Sequence, residues 1–310
     1  MTHRENVLRT VRFDHPERIP VRVGMSAACF QHYPHEQLWQ LMDEHRELFP
    51  GYNPADASVP EPGPHQRADR PFTDPWGCVW RSPEDGISGA ITHHPLADWN
   101  ALDDTTPPDA GETNGIGQVD WDAVATSCRT ARDGGRVASG SLAHGHTFLR
   151  LTYLRGYENL LLDMVDGDPR LSRLIEMVER FNAGLVRRFL DAGVEWMGYP
   201  EDLGMQVGPM LAPEQFRTWI KPVYERLVAP AREAGCVIHM HSDGDIRELA
   251  EELMDCGMQS LNLQDLVNGV EWIAENLKGR VCVDLDVDRQ NVTRFGTPAE
   301  IDALIRYEVE

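Results

Sequence analysis

The segment "CVIHMHSDGDI", residues 236–246, places several side chains that bind metals or transfer protons in a short stretch. His239 and His241 are separated by one residue, and Asp243 follows in the next turn. Side chains two residues apart in a β-strand share one face, about 6.6–7 Å apart along the strand. Imidazole nitrogens and carboxylate oxygens bind zinc, and a catalytic zinc takes about three protein ligands. We predict a metal site formed by His239, His241 and Asp243; an ordinary turn after a buried strand is the alternative.

Acidic residues also stand where two other strands are expected to end. Glu201 and Asp202 close the segment "VEWMGYPED", and Asp288 closes "VCVDLDVD". Adjacent carboxyl groups near an apolar core are costly unless they are paired, hydrogen-bonded or metal-bound. We predict that Glu201, Asp202 and Asp288 contribute to the same site, with a solvated loop as the alternative for the first two.

Four further side chains are predicted to contact a substrate. Asn262 and Gln264 share one face of the expected strand "SLNLQ" and can form hydrogen bonds. His144 and His146 form a second His-x-His pair, after the segment "RVASGSLAH" has begun and before a helix. We expect these two histidines to lie in a loop that lines the mouth of the site.

The elements that position these residues alternate regularly from about residue 136 onward. Short apolar strands are followed by helices with apolar residues at helical spacing, which favours a parallel sheet with helical crossovers. Polar residues at the carboxyl ends of the strands are typical of a (β/α)8 TIM barrel. A doubly wound sheet is the alternative, although no GxGxxG or GxxxxGK[ST] motif follows a strand.

The first half of the chain is less regular. It begins with a short predicted helix, "NVLRTVRF", and a predicted strand, "VRVGM". A region near residues 50–115 is rich in Pro, Gly and Asp and predicts a small loop and β insertion, with Trp76 and Trp80 as packing anchors. We therefore predict one α/β barrel domain over residues 1–310 that carries this insertion.

The composition limits the partners. The formal net charge is −21, so the surface repels nucleic-acid phosphates and anionic lipids. The start of the chain lacks the apolar core of a signal peptide, and no run of about 18 apolar residues occurs. These features predict a cytoplasmic protein that acts on a small molecule.

Three segments of the second half carry a specific pattern: "EDLGMQVGPMLAPEQF", "HSDGDIRELAEELMDCGMQSLNLQ" and "DVDRQNVTRFGTPAEI". The segments "RENVLRTVRFDHPERIPV", "DPWGCVW" and "LRGYENLLLDMVDGDP" extend it over most of the chain. Together they resemble the uroporphyrinogen decarboxylase superfamily, which also contains the corrinoid- and coenzyme M-dependent methyltransferases. The resemblance implies a (β/α)8 barrel, in agreement with the pattern of elements.

The resemblance also separates two branches of that superfamily. Decarboxylases are expected to carry an arginine-rich segment resembling RQAGRY after the first strand, and "VRVGMSAACFQHYP" lacks it. The methyltransferase branch is expected to carry a His-x-Cys zinc motif where this chain reads "HSDG", which places His241 at the histidine and Asp243 at the cysteine. A further cysteine or histidine is expected in a last strand beyond Glu310.

The favoured hypothesis is therefore a metal-assisted methyl (one-carbon) transferase that uses a corrinoid methyl donor and a thiol acceptor. Zinc held by His241 with Asp243 or His239 would lower the pKa of the thiol. Glu201, Asp202 and Asp288 would act in catalysis by orienting the acceptor or moving protons. The partners considered are a small-molecule substrate, a corrinoid protein and a second copy of the chain in a homodimer.

Three other functions remain open at this point. The main alternative is a decarboxylase of uroporphyrinogen or another carboxylated small molecule, with Arg22, Arg150 or Arg155 binding the carboxylates. A metal-dependent hydrolase ranks lower, because such barrels usually place His-x-His on the first strand. A barrel that binds a corrinoid or a metabolite without turnover would show binding but no product.

Overall fold

The computed structural model describes residues 1–49 and 51–310; residue 50, the first of the predicted insertion, lies outside the described residues. The strands are β1 Phe72–Thr73, β2 Val79–Arg81, β3 Ala90–His93, β4 Ser139–Ser141, β5 Trp196–Asp202, β6 Gly204–Met205, β7 Gly208–Pro209, β8 Val237–Asp243, β9 Ser260–Gln264 and β10 Cys282–Asp286. The α-helices are α1 His3–Val11, α2 Ala27–His32, α3 His35–Glu44, α4 Trp121–Asp133, α5 Phe148–Arg155, α6 Tyr157–Asp166, α7 Pro169–Ala192, α8 Pro213–Gln215, α9 Lys221–Glu233, α10 Ala250–Asp255, α11 Asp265–Asn268, α12 Val270–Asn276, α13 Val292–Phe295 and α14 Pro298–Val309.

The main sheet has five parallel strands in the spatial order β4, β5, β8, β9, β10. Each strand pairs with the next strand of this sheet along the chain, and the order does not reverse as it would in a doubly wound sheet. The fold is therefore α/β with helical crossovers, as predicted. Five of the eight strands that a (β/α)8 barrel requires are formed by the part of the chain that the structure describes.

The two faces of this sheet differ in chemistry. On one face, which we call the apolar face, Met197, Tyr199, Ile238 and Leu261 are buried, and α9 packs against β8 beneath it. The other face, which we call the polar face, carries His239, Asp202 and the aligned residues His241, Asn262 and Asp284. The register pairs His241 with Pro200 and with Asn262, so successive strands present their polar side chains at one level.

The longest crossover helix, α7, follows its sequence signals closely. The side chain of Asp168 accepts a hydrogen bond from the backbone N–H of Arg170, and Pro169 occupies the first helical position. Gly193 ends the helix with φ +84, a left-handed conformation that favours glycine. One apolar face of α7 is buried against the rest of the core, as the spacing of its apolar residues predicts.

The predicted insertion forms a three-stranded antiparallel sheet, β1–β2–β3. Trp76 and Trp80 are both buried, which confirms them as anchors. The Nε1–H of Trp80 donates to Asp74 Oδ2 at 3.0 Å, and the same oxygen lies 2.8 Å from the guanidinium of Arg150 on α5. This buried ion pair joins the insertion to the main domain.

The predicted strand "VRVGM" is wrong. Residues 21–25 form no strand, and the side chains of Val21 and Val23 are exposed. A strand exists only where a neighbour accepts its backbone hydrogen bonds, and the alternation of apolar residues does not supply that neighbour. Arg22 nevertheless reaches the sheet through an ion pair with Asp284, 3.0 Å away.

Among the described residues, no helix is both long and apolar enough to cross a membrane.

Candidate active site

Three side chains meet at the carboxyl ends of β5 and β8, and we call them the histidine–aspartate cluster. His144 Nε2 lies 3.2 Å from Asp202 Oδ1, and His241 Nε2 lies 3.7 Å from the same oxygen. All three ligand atoms lie within 4.8 Å of one another. His144 comes from the loop after β4, which runs beside β5 because the N–H of Gly145 donates to the carbonyl of Pro200.

His144 and Asp202 each stabilise the charged form of the other. Partial burial lowers the pKa of His144, but the hydrogen bond to Asp202 and the charge of that carboxylate outweigh it and leave the pKa raised. Burial likewise raises the pKa of Asp202, yet His144 outweighs this effect and the pKa is lowered. The pair therefore favours an imidazolium beside a carboxylate when no other ligand is present.

Asp243 stands at the edge of the cluster. Its Oδ1 lies 3.5 Å from His241 Nε2, and it also forms an ion pair with Arg289. Arg289 reaches Asp286 as well, at 3.5 Å. Because Asp243 is already paired with a cation, Asp202 is the carboxylate that faces both imidazoles.

His239 does not join the cluster. Its Nε2 lies 3.2 Å from Asp284 Oδ2, and its ring packs against Trp196 with a centroid separation of 5.2 Å. The two residues of the His-x-His pair share a face, but the rise of the strand separates them, and each finds a different carboxylate. The structure thus brings His241 and Asp243 together and leaves His239 deeper in the sheet.

Glu201 points to the apolar face, away from Asp202, because adjacent strand residues face opposite sides. Its carboxylate is fully buried and accepts hydrogen bonds from the backbone N–H of Phe148 at 2.6 Å and from the hydroxyl of Tyr224 at 2.7 Å. Thr147 and Leu149 also donate their backbone N–H groups to it. Burial raises the pKa of Glu201 to about 7, although these hydrogen bonds lower it. Glu201 therefore holds the start of α5 and does not line the cluster.

Asp288 and His146 also lie outside the cluster. Asp288 accepts backbone hydrogen bonds from residues 290–292 and so positions the start of α13. His146 is buried beside Tyr199 and Tyr224, and burial lowers the pKa of His146 to about 3, so its ring is neutral. It does not line the mouth of a site, because it faces the helical layer.

The two predicted amide residues are both engaged within the protein. Gln264 accepts a hydrogen bond from the N–H of Gly244 at 2.9 Å, which fixes the turn after β8. Asn262 Oδ1 lies 2.5 Å from His241 Nδ1, in direct contact with the cluster. Of the four residues predicted to contact a substrate, His144 and Asn262 are the two that reach the cluster.

The donor atoms of the cluster fit zinc. Zinc bonds of about 2.0–2.2 Å in a tetrahedral site place neighbouring ligand atoms about 3.3 Å apart. The separations of 3.2 and 3.7 Å from Asp202 Oδ1 are close to that value. Two imidazoles with one carboxylate favour zinc over magnesium or calcium, which prefer all-oxygen sites. His144, Asp202 and His241 would therefore hold the metal.

The sequence of residues 76–307 matches the family profile described as Uroporphyrinogen decarboxylase (URO-D). The chain belongs to the URO-D family. Among solved structures, a methyltransferase from Methanosarcina mazei is similar, with a TM-score of 0.66 and 14% identity over 100% of this chain and 90% of that chain. No curated protein sequence matches the chain. At this identity the structural likeness concerns the fold of this URO-D family member.

Two features of this site were not predicted from the sequence. Arg289 was not singled out, although it lies directly after the strand end that contains Asp286. The contact between His144 and Asp202 was also missed, because it depends on β4 and β5 being neighbours in the sheet. The alternation of strand faces was available from the sequence and separates Glu201 from Asp202.

Proposed function

We propose that this URO-D family member is a metal-assisted methyl transferase that moves a methyl group from a corrinoid to a thiol acceptor. The observation that carries the proposal is the histidine–aspartate cluster at the carboxyl ends of parallel strands, where α/β enzymes place their sites. When bound there, zinc would lower the pKa of a coordinated thiol and make a thiolate available near neutral pH. A corrinoid protein is the proposed methyl donor.

The residues of the chain have distinct tasks in this proposal. Asp202 is anchored by the backbone N–H of Asp243, which donates to its Oδ1 at 3.0 Å, and so stands fixed between two imidazoles. Arg289 pairs with the carboxylate of Asp243 at the rim, which keeps that carboxylate from competing with Asp202 for His241. The thiol proton would be lost to solvent, since His144 and Asp202 are occupied as ligands.

We also propose that the five described strands are part of a closed (β/α)8 barrel in a single domain over residues 1–310. Their sequential order supports this, since each strand of the sheet follows its neighbour along the chain. The polar face would then be the interior of the barrel. A closed barrel would enclose the histidine–aspartate cluster at its mouth.

The charges of the polar face argue against a decarboxylase of uroporphyrinogen. Arg150 and Arg155 are buried in ion pairs with Asp74 and Asp163 and do not reach the polar face. Arg22 is paired with Asp284. The aspartates near the cluster outnumber the arginines there: Asp202, Asp243, Asp284 and Asp286 against Arg22 and Arg289. A substrate with many carboxylates would be repelled by this excess of negative charge.

The test is a transfer assay with methylcobalamin as donor and a panel of thiols as acceptors, using the zinc-loaded protein. We expect a methylated thiol as product, and at least a 100-fold loss of rate in Asp202→Asn. The matched control is Asp284→Asn, an aspartate of the same face outside the cluster. Turnover of uroporphyrinogen, or equal rates in both variants and the wild type, would overturn the proposal.

A further inference from the structure

Asn262 on β9 connects the cluster residue His241 to the edge strand β10. Its Oδ1 lies 2.5 Å from His241 Nδ1. Its Nδ2 donates to the main-chain oxygen of Asp284 at 2.7 Å and to Asp286 Oδ1 at 3.1 Å. The side chain is mostly buried, with 8% of the residue exposed, so its amide is satisfied within the protein.

The two contacts on β10 determine which way the amide points. A main-chain carbonyl and a carboxylate both lack a proton, so each requires the amide nitrogen of Asn262 as donor. The opposite orientation would place the amide oxygen against two other oxygens and leave both without a donor. The Oδ1 of Asn262 must therefore face His241.

This orientation decides the state of the His241 ring. An amide oxygen only accepts hydrogen bonds, so the Nδ1 of His241 must carry a proton. In a neutral imidazole the other nitrogen then has a free lone pair. That nitrogen, Nε2, is the atom that lies 3.7 Å from Asp202 Oδ1 in the cluster.

We propose that Asn262 is a positioning residue that holds His241 in the tautomer with the proton on Nδ1 and directs the lone pair of Nε2 into the histidine–aspartate cluster. The consequence for metal binding rests on the proposed function; the tautomer itself does not. Outer partners of this kind typically change metal affinity about 10- to 100-fold when removed. Asn262 is thus assigned to ordering the site and not to contacting the substrate.

A closed set of contacts supports the assignment. Asp286 accepts from Asn262 and lies 3.5 Å from Arg289, and Arg289 pairs with Asp243. Asp243 Oδ1 in turn lies 3.5 Å from His241 Nε2. These contacts fix Asn262 and its neighbours on β10, and Asn262 is the member that accepts from Nδ1 of His241.

The experiment measures the tautomer directly by ¹⁵N NMR of the histidine side chains in metal-free protein at about pH 9, above the usual histidine range. Three variants are compared with the wild type. Asn262→Leu keeps the approximate volume and removes the acceptor, Asn262→Asp keeps an acceptor oxygen, and Gln264→Leu is a control on the same strand and face. The resonances of His239 serve as an internal check on the fold.

We expect the wild type, Asn262→Asp and Gln264→Leu to hold His241 with the proton on Nδ1, and Asn262→Leu to populate the other tautomer. Zinc affinity should fall about 10- to 100-fold in Asn262→Leu. A wild-type spectrum with the proton on Nε2, or an unchanged tautomer in Asn262→Leu, overturns the inference; the wild-type spectrum decides if that variant does not fold. If the tautomer responds as expected but the wild type neither binds zinc nor transfers methyl groups, the proposed function fails and this inference stands.

Discussion

The substitution Glu201→Gln should change how the stability of the protein depends on pH. Burial raises the pKa of Glu201 to about 7 from an ordinary value of 4.5, against the opposing hydrogen bonds from Tyr224 and the start of α5. Between these values the folded protein binds more protons than the unfolded chain, so the free energy of unfolding falls as pH rises. At about 1.4 kcal/mol per pH unit, this carboxyl costs the folded protein about 3 kcal/mol at pH 8 relative to pH 4.5.

Glutamine does not titrate, so the variant lacks this contribution. At pH 5 we expect Glu201→Gln to be less stable than the wild type by about 1–3 kcal/mol. The amide NH2 group of glutamine would face the backbone N–H groups at the start of α5, and those donors would lose an acceptor. As pH rises to 8, the difference should close or reverse, since the wild type then carries a buried charge. Contributions from other titrating groups cancel in the difference between the two proteins.

The assay is urea unfolding of both proteins at intervals from pH 5 to pH 8. Tyr224→Phe is the control, because it removes one hydrogen bond to the same carboxyl and keeps the titration; its stability should still fall with pH. Parallel curves for the wild type and Glu201→Gln would show that Glu201 does not lose a proton in the folded protein over this pH range. A large loss of methyl transfer in a Glu201→Gln protein of unchanged stability would show instead that Glu201 acts in catalysis.

Three other substitutions test the packing and the remaining buried charges. Asp74→Asn should lower the free energy of unfolding by about 3–5 kcal/mol because it leaves the buried Arg150 without its partner; a loss below about 1 kcal/mol in urea unfolding would contradict this. Glu308→Gln should raise the melting temperature at pH 9 but not at pH 5, because burial and the neighbouring Asp265 raise the pKa of Glu308, so stability is lost as pH rises above the ordinary glutamate range; equal shifts at both pH values would count against it. Leu174→Ala, at a fully buried position of α7, should cost about 2–5 kcal/mol by the same urea assay, and a neutral result would contradict the packing of that helix.

Local signals in the sequence predicted the helices and most strands of the sheet. Asp168 and Gly193 mark the ends of α7, and Thr297 forms the predicted capping box with Glu300 at the start of α14. These signals work because capping depends on residues within one turn of the helix. The segment 21–25 was mispredicted because strand formation depends on a distant partner.

The composition of the site was harder to predict than its place. The carboxyl ends of the strands were predicted correctly as the place where polar residues meet, and His241 lies there. His144 reaches the cluster because the loop after β4 runs beside β5 and brings the ring to Asp202. His239 lies outside the cluster because its ring contacts Asp284 instead. Such choices are made by tertiary contacts between strands, and the spacing of residues along one strand does not determine them.

The most direct test of the histidine–aspartate cluster is calorimetric titration of zinc into metal-free wild type, His241→Ala and His239→Ala. We expect one zinc per chain in the wild type and in His239→Ala, and at least a tenfold weaker affinity in His241→Ala. Binding that is equal in all three proteins, or that is lost in His239→Ala and retained in His241→Ala, would contradict it.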